Sequence, residues 1–261
     1  MFKGKMVTMA IPERVFLIYR ATIKNAIQEK ELRERILPKK AKSSDDYYLE
    51  VKKCAIELNL INEQEGMILA NSRIQEMKTI TDFRIYVNEH LNEFRNEMFW
   101  KVSNCILNMQ TAKLGTINNI VDLCKAISTQ IGASIDEDSL RGWRFWASFL
   151  GFGFVQEVRF IPNPAGFLQD LIHSSSGLQK GETYLIDDFL EYLEPQLDII
   201  MNNNNSLLFN ESISSGLRTL HDLKYLKMDH KADQGHIWSL SRMQHLIGDV
   251  GQIEICKKDV L

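Results

Sequence analysis

The chain has 261 residues, 44% hydrophobic and 25% charged, with a formal net charge of −3. Those are the proportions of an ordinary soluble globular protein, with room for one large domain or two to three small ones. No apolar run approaches the ~20 residues that cross a bilayer. The basic opening Met1–Met6 lacks the apolar core and small-residue cleavage site of a secretory signal, so a cytoplasmic protein without membrane contact is expected.

Charge is unevenly spread. Residues 1–42 hold seven Lys and four Arg against four Glu, a net of +7 that leaves −10 for the remainder. Any binding surface for nucleic acid that works by charge alone therefore belongs to the N-terminal part. Cys54, Cys105, Cys124 and Cys256 are far apart and form no C-x-x-C pair. Buried reduced thiols are expected, with no metal site and no cofactor.

Ile11-Pro12 opens a first helix, proline being suited to a first turn that has no use for its N–H. A second short helix, about Glu29 to Leu37, is stopped by Pro38. The basic loop Lys39-Lys40-Ala41-Lys42 follows. Ser43 or Ser44 then caps a third helix with Tyr48, Val51, Ala55 and Leu58 on one face. Leu60-Ile61 and Met67–Leu69, around a turn at Asn62–Gly66, make a hairpin. Helices plus hairpin give a first winged-helix-like module over 1–72.

Residues 73–115 hold no Gly or Pro until the very end, and Leu91, Phe94, Met98, Val102, Cys105 and Met109 recur at helical spacing. This predicts one long connecting helix or two consecutive ones. The second module, 116–173, starts with Thr116 capping a helix through Ile131. Asp136-Glu137-Asp138 open its next helix, Gly151 caps that helix, and strands follow over Phe152–Ile161. Pro164 begins one more helix.

The third module, 174–261, has a kinked helix over Leu185–Met201, divided at Pro195, and a polar break at Asn202–Asn205. Asn210 then caps a helix with Ile213, Leu217, Leu220, Leu223 and Leu226 on one face. A strand at Leu226–Met228, a turn at Lys231–Gly235 and a return strand at His236–Leu240 close it. The expected fold is mainly α with small β-hairpins: three winged-helix-like modules joined by a long connecting helix.

The helix before each hairpin is the one a winged helix would place in a major groove. In the first module it carries Asp45, Asp46, Glu50, Lys52, Lys53 and Glu57, a net of −2, and would repel phosphate. In the third, Arg218 and Lys224, with Lys231 near the wing, are the DNA-contact candidates. Arg33, Arg35, Lys39, Lys40 and Lys42 are candidates for gripping a duplex backbone without reading sequence. The second-module helix is apolar around nearly its whole circumference, so it is either central to a domain or meets a partner. Phe145, Trp146 and Phe149 are its partner-interface candidates.

No catalytic constellation emerges. Glu50-Val51-Lys52 matches half of a metal-nuclease motif but lies on a helix. His221, His230, His236 and His245 lack metalloprotease spacing, and no phosphate-binding glycine loop occurs.

In element order the chain resembles the tandem winged-helix accessory subunits of bacterial SMC-type ATPase complexes, the Lamassu antiphage type among them. That resemblance implies a non-catalytic scaffold or adaptor in antiphage defence, with an SMC-like ATPase and an effector nuclease as partners and sequence-independent contact with double-stranded DNA. The alternative is a sequence-specific DNA-binding protein, a transcription regulator or restriction-system recognition subunit, with Arg218 and Lys224 in a major groove.

Overall fold

A computed structural model describes residues 1–37, 44–117, 119–157, 159–201, 207–231, 235–241 and 248–259. About half of the chain is helical, and about 15% lies in small antiparallel sheets. No helix among the described residues is long and apolar enough to cross a membrane.

The first unit comprises α1 (Pro12–Thr22), β1 (Ile27–Gln28), α2 (Glu29–Ile36), α3 (Ser44–Glu57), β2 (Ile61–Gln64) and β3 (Met67–Ala70). Its sheet order is β1-β3-β2. Tyr48, Val51, Cys54, Ala55 and Leu58 bury one face of α3, which packs on α1.

Residues 73–115 do not form one continuous helix. They hold α4 (Ile80–His90), a 3-10 turn over Leu91–Phe94, α5 (Met98–Leu107) and the start of α6 (Thr111–Thr116). The break follows from capping and burial. A Thr79–Asp82 capping box starts α4, and the turn lets Leu91 and Phe94 both reach the core.

Next come α7 (Ile120–Ile131), α8 (Glu137–Phe149), β4 (Gly153–Gln156) and β5 (Arg159–Pro162). Thr116 ends α6 rather than capping α7. Asn119 is the cap instead, accepting from the Asp122 amide at 2.9 Å while its own amide donates to Asp122 Oδ2 at 2.7 Å.

The remaining elements are α9 (Ala165–Ser174), β6 (Thr183–Leu185), α10 (Ile186–Glu191), α11 (Glu211–Asp222), β7 (Leu226–Asp229), β8 (Trp238–Ser239), β9 (Asp249–Val250) and β10 (Gln252–Ile255). The stretch 185–201 is strand end, short helix and a 3-10 turn after Pro195 rather than a kinked helix. The partner of β7 is β10, with Leu226 opposite Ile255 and Met228 opposite Ile253. The expected return strand pairs with β9 instead, Trp238 opposite Val250. Burial explains the exchange. Ile253 and Ile255 alternate inward to match Leu226 and Met228, whereas Trp238 leaves the sheet to stack on Phe209, centroids 4.6 Å apart. The helix begun by Pro164, α9, packs against α11 and α4.

One joint recurs three times. After α3, α8 and α11 the chain passes through a left-handed residue: Asn59 (φ 55°), Gly151 (φ 76°) and Lys224 (φ 54°). The next amide reaches back five residues to a helix carbonyl: Leu60 to Ala55 at 2.9 Å, Phe152 to Ala147 at 3.0 Å, Tyr225 to Leu220 at 2.9 Å. This is the Schellman closure, with the residue after the left-handed one buried. That residue's carbonyl then accepts from the far end of the hairpin: Asn71 to Leu60, Asn163 to Phe152, Cys256 to Tyr225. All four strand pairs match as well, from Ile61 with Ala70, Gly153 with Pro162 and Leu226 with Ile255 down to Gln64 with Met67, Gln156 with Arg159 and Asp229 with Gln252.

The buried apolar side chains of the three units merge into one cluster centred on α8. Trp143 donates to Ser103 Oγ at 2.9 Å and Trp146 to the Ala10 carbonyl at 2.7 Å, so each indole N–H is satisfied where it is buried. Gly142 lets the N-terminal strand of chain cross α8, since a Cβ there would lie 2.7 Å from the Val7 carbonyl carbon. The Met1 amino group and Phe2 amide both donate to the buried Glu57 carboxylate at 2.8 Å.

A buried polar clamp fastens α4 to α9. Arg84 forks onto Asp170 through two 2.8 Å bonds. Asn88 donates to Asp170 at 2.7 Å and to the Leu150 carbonyl at the end of α8 at 3.2 Å. Burial pushes the Asp170 carboxyl above its usual range, and the Arg84 fork and Asn88 pull against that.

Asp170→Ala, which strands the Arg84 charge, is expected to cost about 3–5 kcal/mol in urea unfolding. The double change Arg84→Met with Asp170→Leu should cost markedly less. Lys224→Gly should raise stability by up to about 1 kcal/mol by relieving the left-handed backbone. Gly151→Ala should lower it by more than that, because its Cβ would sit 2.6 Å from the Phe167 amide nitrogen. Denaturant midpoints of the four variants check both expectations.

Candidate functional site

The DNA-contact candidates do not converge. Arg218 is 6% exposed, and its guanidinium donates to the Ser241 carbonyl at 2.7 Å. Packing of α11 against α9 and the Ser239–Ser241 segment turns Arg218 inward, which corrects its assignment as a groove-reading side chain. Lys224 is exposed but forms the left-handed joint behind the helix, and Lys231 is exposed on the far side of β7. Arg35 is spanned by an ion pair to Glu31 at 2.5 Å, and Arg33 is half-buried on the same helix. Lys39, Lys40 and Lys42 lie outside the described residues.

The acidic first-unit helix is spent largely on internal contacts. Lys52 is buried between Glu29 at 2.5 Å and Glu63 at 2.8 Å, and Glu57 holds the N-terminus. The Glu50-Val51-Lys52 triplet thus has its lysine committed to structure. What α3 leaves outside includes Leu49 at 52% and Ile56 at 41% exposure, beside Asp46 and Lys53.

Of the three aromatic candidates on α8, Trp146 is fully buried, its ring edge-on to Phe2 at 4.8 Å. It belongs to the core and is withdrawn as an interface residue. Phe149 is half-buried, tilted against Phe83 at 5.5 Å. Phe145 alone is open, at 49%, and the hairpin adds Phe154 at 49% and Val155 at 44%. Sequence reasoning missed the latter two because strand alternation predicts one buried neighbour in each pair, whereas both are exposed on β4 and the hairpin buries Phe160 of β5 instead.

One concave site lies in the second unit. It is a cleft of about 320 Å³ between the α6–α7 junction, α8 and β5. Ile117, Ile120, Leu123 and Phe160 supply an apolar wall, and Arg141, Arg144 and Arg159 face it. Arg141 is neutralised by Glu137 at 2.7 Å and Asp138 at 3.0 Å. Arg144 has no carboxylate partner among the described residues, and its Nε is buried without an acceptor. Burial, and then the neighbouring Arg141 charge, hold its pKa below the ordinary guanidinium value. A half-buried cation next to another cation is an electrostatic arrangement that a bound anion would relieve.

In the first and third units a strand directly precedes the second helix and pairs with the hairpin, and in the second unit the extended Ile117 and Asn119 hold that position in the chain, on either side of a residue outside the described ones. β1 pairs with β3 through Ile27–Ile68 and Gln28–Met67. β6 pairs with β10 through Tyr184–Ile253 and Leu185–Gln252. By the shared register, Phe160 corresponds to Ile68 and Ile253, and Arg159 to Met67 and Gln252. Among the described residues no strand pairs with that outer edge of β5.

Cys54, Cys105 and Cys124 are buried free thiols, and burial pushes Cys105 up to about 11. The described residues hold no group of three metal-ligating side chains. His236 and Trp238 bind Asp187 at 2.6 and 2.7 Å, pinning β8 to α10. Comparison with family models, curated proteins and solved structures finds no match to this chain.

One wall of the cleft depends on the cap of α8. Asp136 Oδ1 accepts from the Ser139 amide at 2.7 Å and its other oxygen meets Lys5 at 2.6 Å. The Lys5 hydrogen bond, with the Ser139 amide, lowers the Asp136 pKa from 3.8 to about 2. A depressed carboxyl stabilises the fold above its unfolded pKa and loses that contribution as pH falls through the folded one. Asp136→Ala should therefore cost about 1 kcal/mol at neutral pH. Its deficit against the parent chain should shrink between pH 4 and pH 2, as read by thermal melts across that window.

Proposed function

We propose that this chain is a non-catalytic adaptor built of three winged-helix-like modules, a subunit of a DNA-associated, SMC-like complex of the antiphage kind. The modular reading is supported by the identical helix-to-hairpin joint and strand register at Asn59, Gly151 and Lys224.

The adaptor reading rests on what the third helix of each module exposes. Leu49 and Ile56 stand out from α3, Phe145 from α8, and the buried α11 offers no cationic face. A helix that read a groove would present Arg, Lys, Asn or Gln there. Exposed apolar side chains on otherwise ordered helices instead suit a protein partner. An SMC-like ATPase and an effector nuclease are the partners this reading assigns. Duplex DNA is held weakly and without sequence preference through the basic N-terminal stretch, including Arg33, Lys39, Lys40 and Lys42.

Affinity purification of the full chain from its native host should bring down an ATPase of SMC type at fixed stoichiometry. Leu49→Asp with Ile56→Asp should release it while the circular dichroism spectrum stays that of the parent. Glutamate at Lys39, Lys40 and Lys42 should weaken duplex binding in a low-salt gel shift equally for all sequences. Tight binding of one particular duplex by the purified chain alone would overturn the adaptor reading.

A further inference from the structure

Arg141 and Arg144 both lie on α8 and both line the second-unit cleft, yet their neighbours along the helix differ. Arg141 finds Glu137 and Asp138 one turn back, at 2.7 and 3.0 Å. The positions that could reach Arg144 in the same way are Leu140, Arg141, Ala147 and Ser148, none of them acidic. We infer that the cleft binds a small organic monoanion, a carboxylate carried on an aromatic or branched apolar body. Arg144 holds its charge, and the apolar side chains of α7 and β5 hold its body. The site goes beyond the adaptor reading and does not depend on it.

Three observations carry it. First, Arg144 is half-buried, and among the described residues no carboxylate or carbonyl accepts from it. Leu140 and Trp143 beside it face the core, which draws its aliphatic stem inward. Its Nε is closed off, so the terminal nitrogens are what a ligand can meet. Second, the charge on offer is single. Arg141 is spent on its two acids, and Arg159 is already engaged within the chain. A monoanion matches one cation, and a planar carboxylate can take two parallel bonds from a guanidinium. A phosphate dianion would leave surplus negative charge beside Glu137 and Asp138 and would lose its hydration to an apolar wall. Third, that wall is well defined. Ile120 and Leu123 of α7 and Phe160 of β5 supply it, and Phe160 is held edge-on to Trp143, centroids 4.8 Å apart. A volume of about 320 Å³ stands at the small end of ligand sites and suits one ring or a short branched chain.

The test is titration of the full chain with phenylacetate, followed by NMR of the Ile and Leu methyl groups and the arginine Nε–H groups. Phenylacetate should bind saturably, in the micromolar to low-millimolar range, and shift Ile120, Leu123 and the Nε–H of Arg144. Phenylacetamide has the same shape without the charge, and phenethylamine carries the opposite charge. Each should bind about tenfold more weakly or worse, the value of a hydrogen bond to a charged group. Arg144→Gln should weaken phenylacetate by a similar factor while the circular dichroism spectrum stays that of the parent.

No saturable shift up to about 10 mM phenylacetate overturns the inference. So does equal binding of phenylacetamide, or binding that leaves the Arg144 Nε–H unmoved. Inorganic phosphate displacing phenylacetate at equal concentration would make the cleft a plain anion pocket and overturns the assignment of an apolar body. Should Arg144→Gln fail to fold, the comparison of acid with amide on the parent chain decides the matter alone. None of these outcomes bears on the Leu49 and Ile56 surface, so this site and the adaptor role stand or fall separately.

Discussion

A single left-handed residue at the end of the third helix of each unit governs much that follows. Its positive φ turns the chain sharply enough for the next amide to reach a carbonyl five residues back, and this buries Leu60, Phe152 or Tyr225 at the base of the hairpin. Because strand side chains alternate with period two, the position of that buried residue decides which side of the hairpin faces the core. The four strand pairs and the place of the third strand come with it. Glycine occupies the joint only at Gly151, where the start of α9 passes too close for a side chain. Asn59 and Lys224 meet solvent and tolerate a Cβ at a modest backbone cost.

The same joint places α8 where most of its circumference is covered, the Phe145 side excepted: the Met1–Ala10 segment, α5, α7 and its own hairpin lie around it. Two tryptophans in one helix stabilise such a centre only when their indole N–H groups find acceptors, and Ser103 and the Ala10 carbonyl provide them. The apolar girth of α8 is thus explained mostly by intramolecular packing. The units do not behave as beads on a linker. The Arg84–Asp170–Asn88 clamp and the merged core hold them in one body, so the exposed apolar side chains of the units sit at set distances from one another.

Charge follows the same economy. The N-terminal excess of cations is partly consumed at home, where Arg35 pairs along its helix and Lys5 reaches Asp136, and beyond it Lys52 bridges Glu29 and Glu63. Against that background a half-buried Arg144 without a carboxylate partner among the described residues stands apart. Keeping such a group half-buried costs desolvation energy.

Much of the architecture was legible in the sequence, and what was legible was local. Helical spacing of apolar residues placed α1, α3, α8 and α11, Asn210 announced the cap of α11, the acids Asp136-Glu137-Asp138 marked the start of α8, and the hairpin starts near 60, 152 and 226 were read from the strand and turn patterns. Those signals arise between residues a few positions apart, so a linear reading finds them. Tertiary structure alone decided that β7 pairs with β10 across the Trp238 flap, that Arg218 turns inward, that Trp146 is core and Phe145 is not, and that 73–115 breaks into separate helices. It alone brought Arg141, Arg144 and Arg159 to one cleft beside β5. Each of these depends on which distant surface a residue meets, and hydrophobic periodicity states only that a face is buried, never against what.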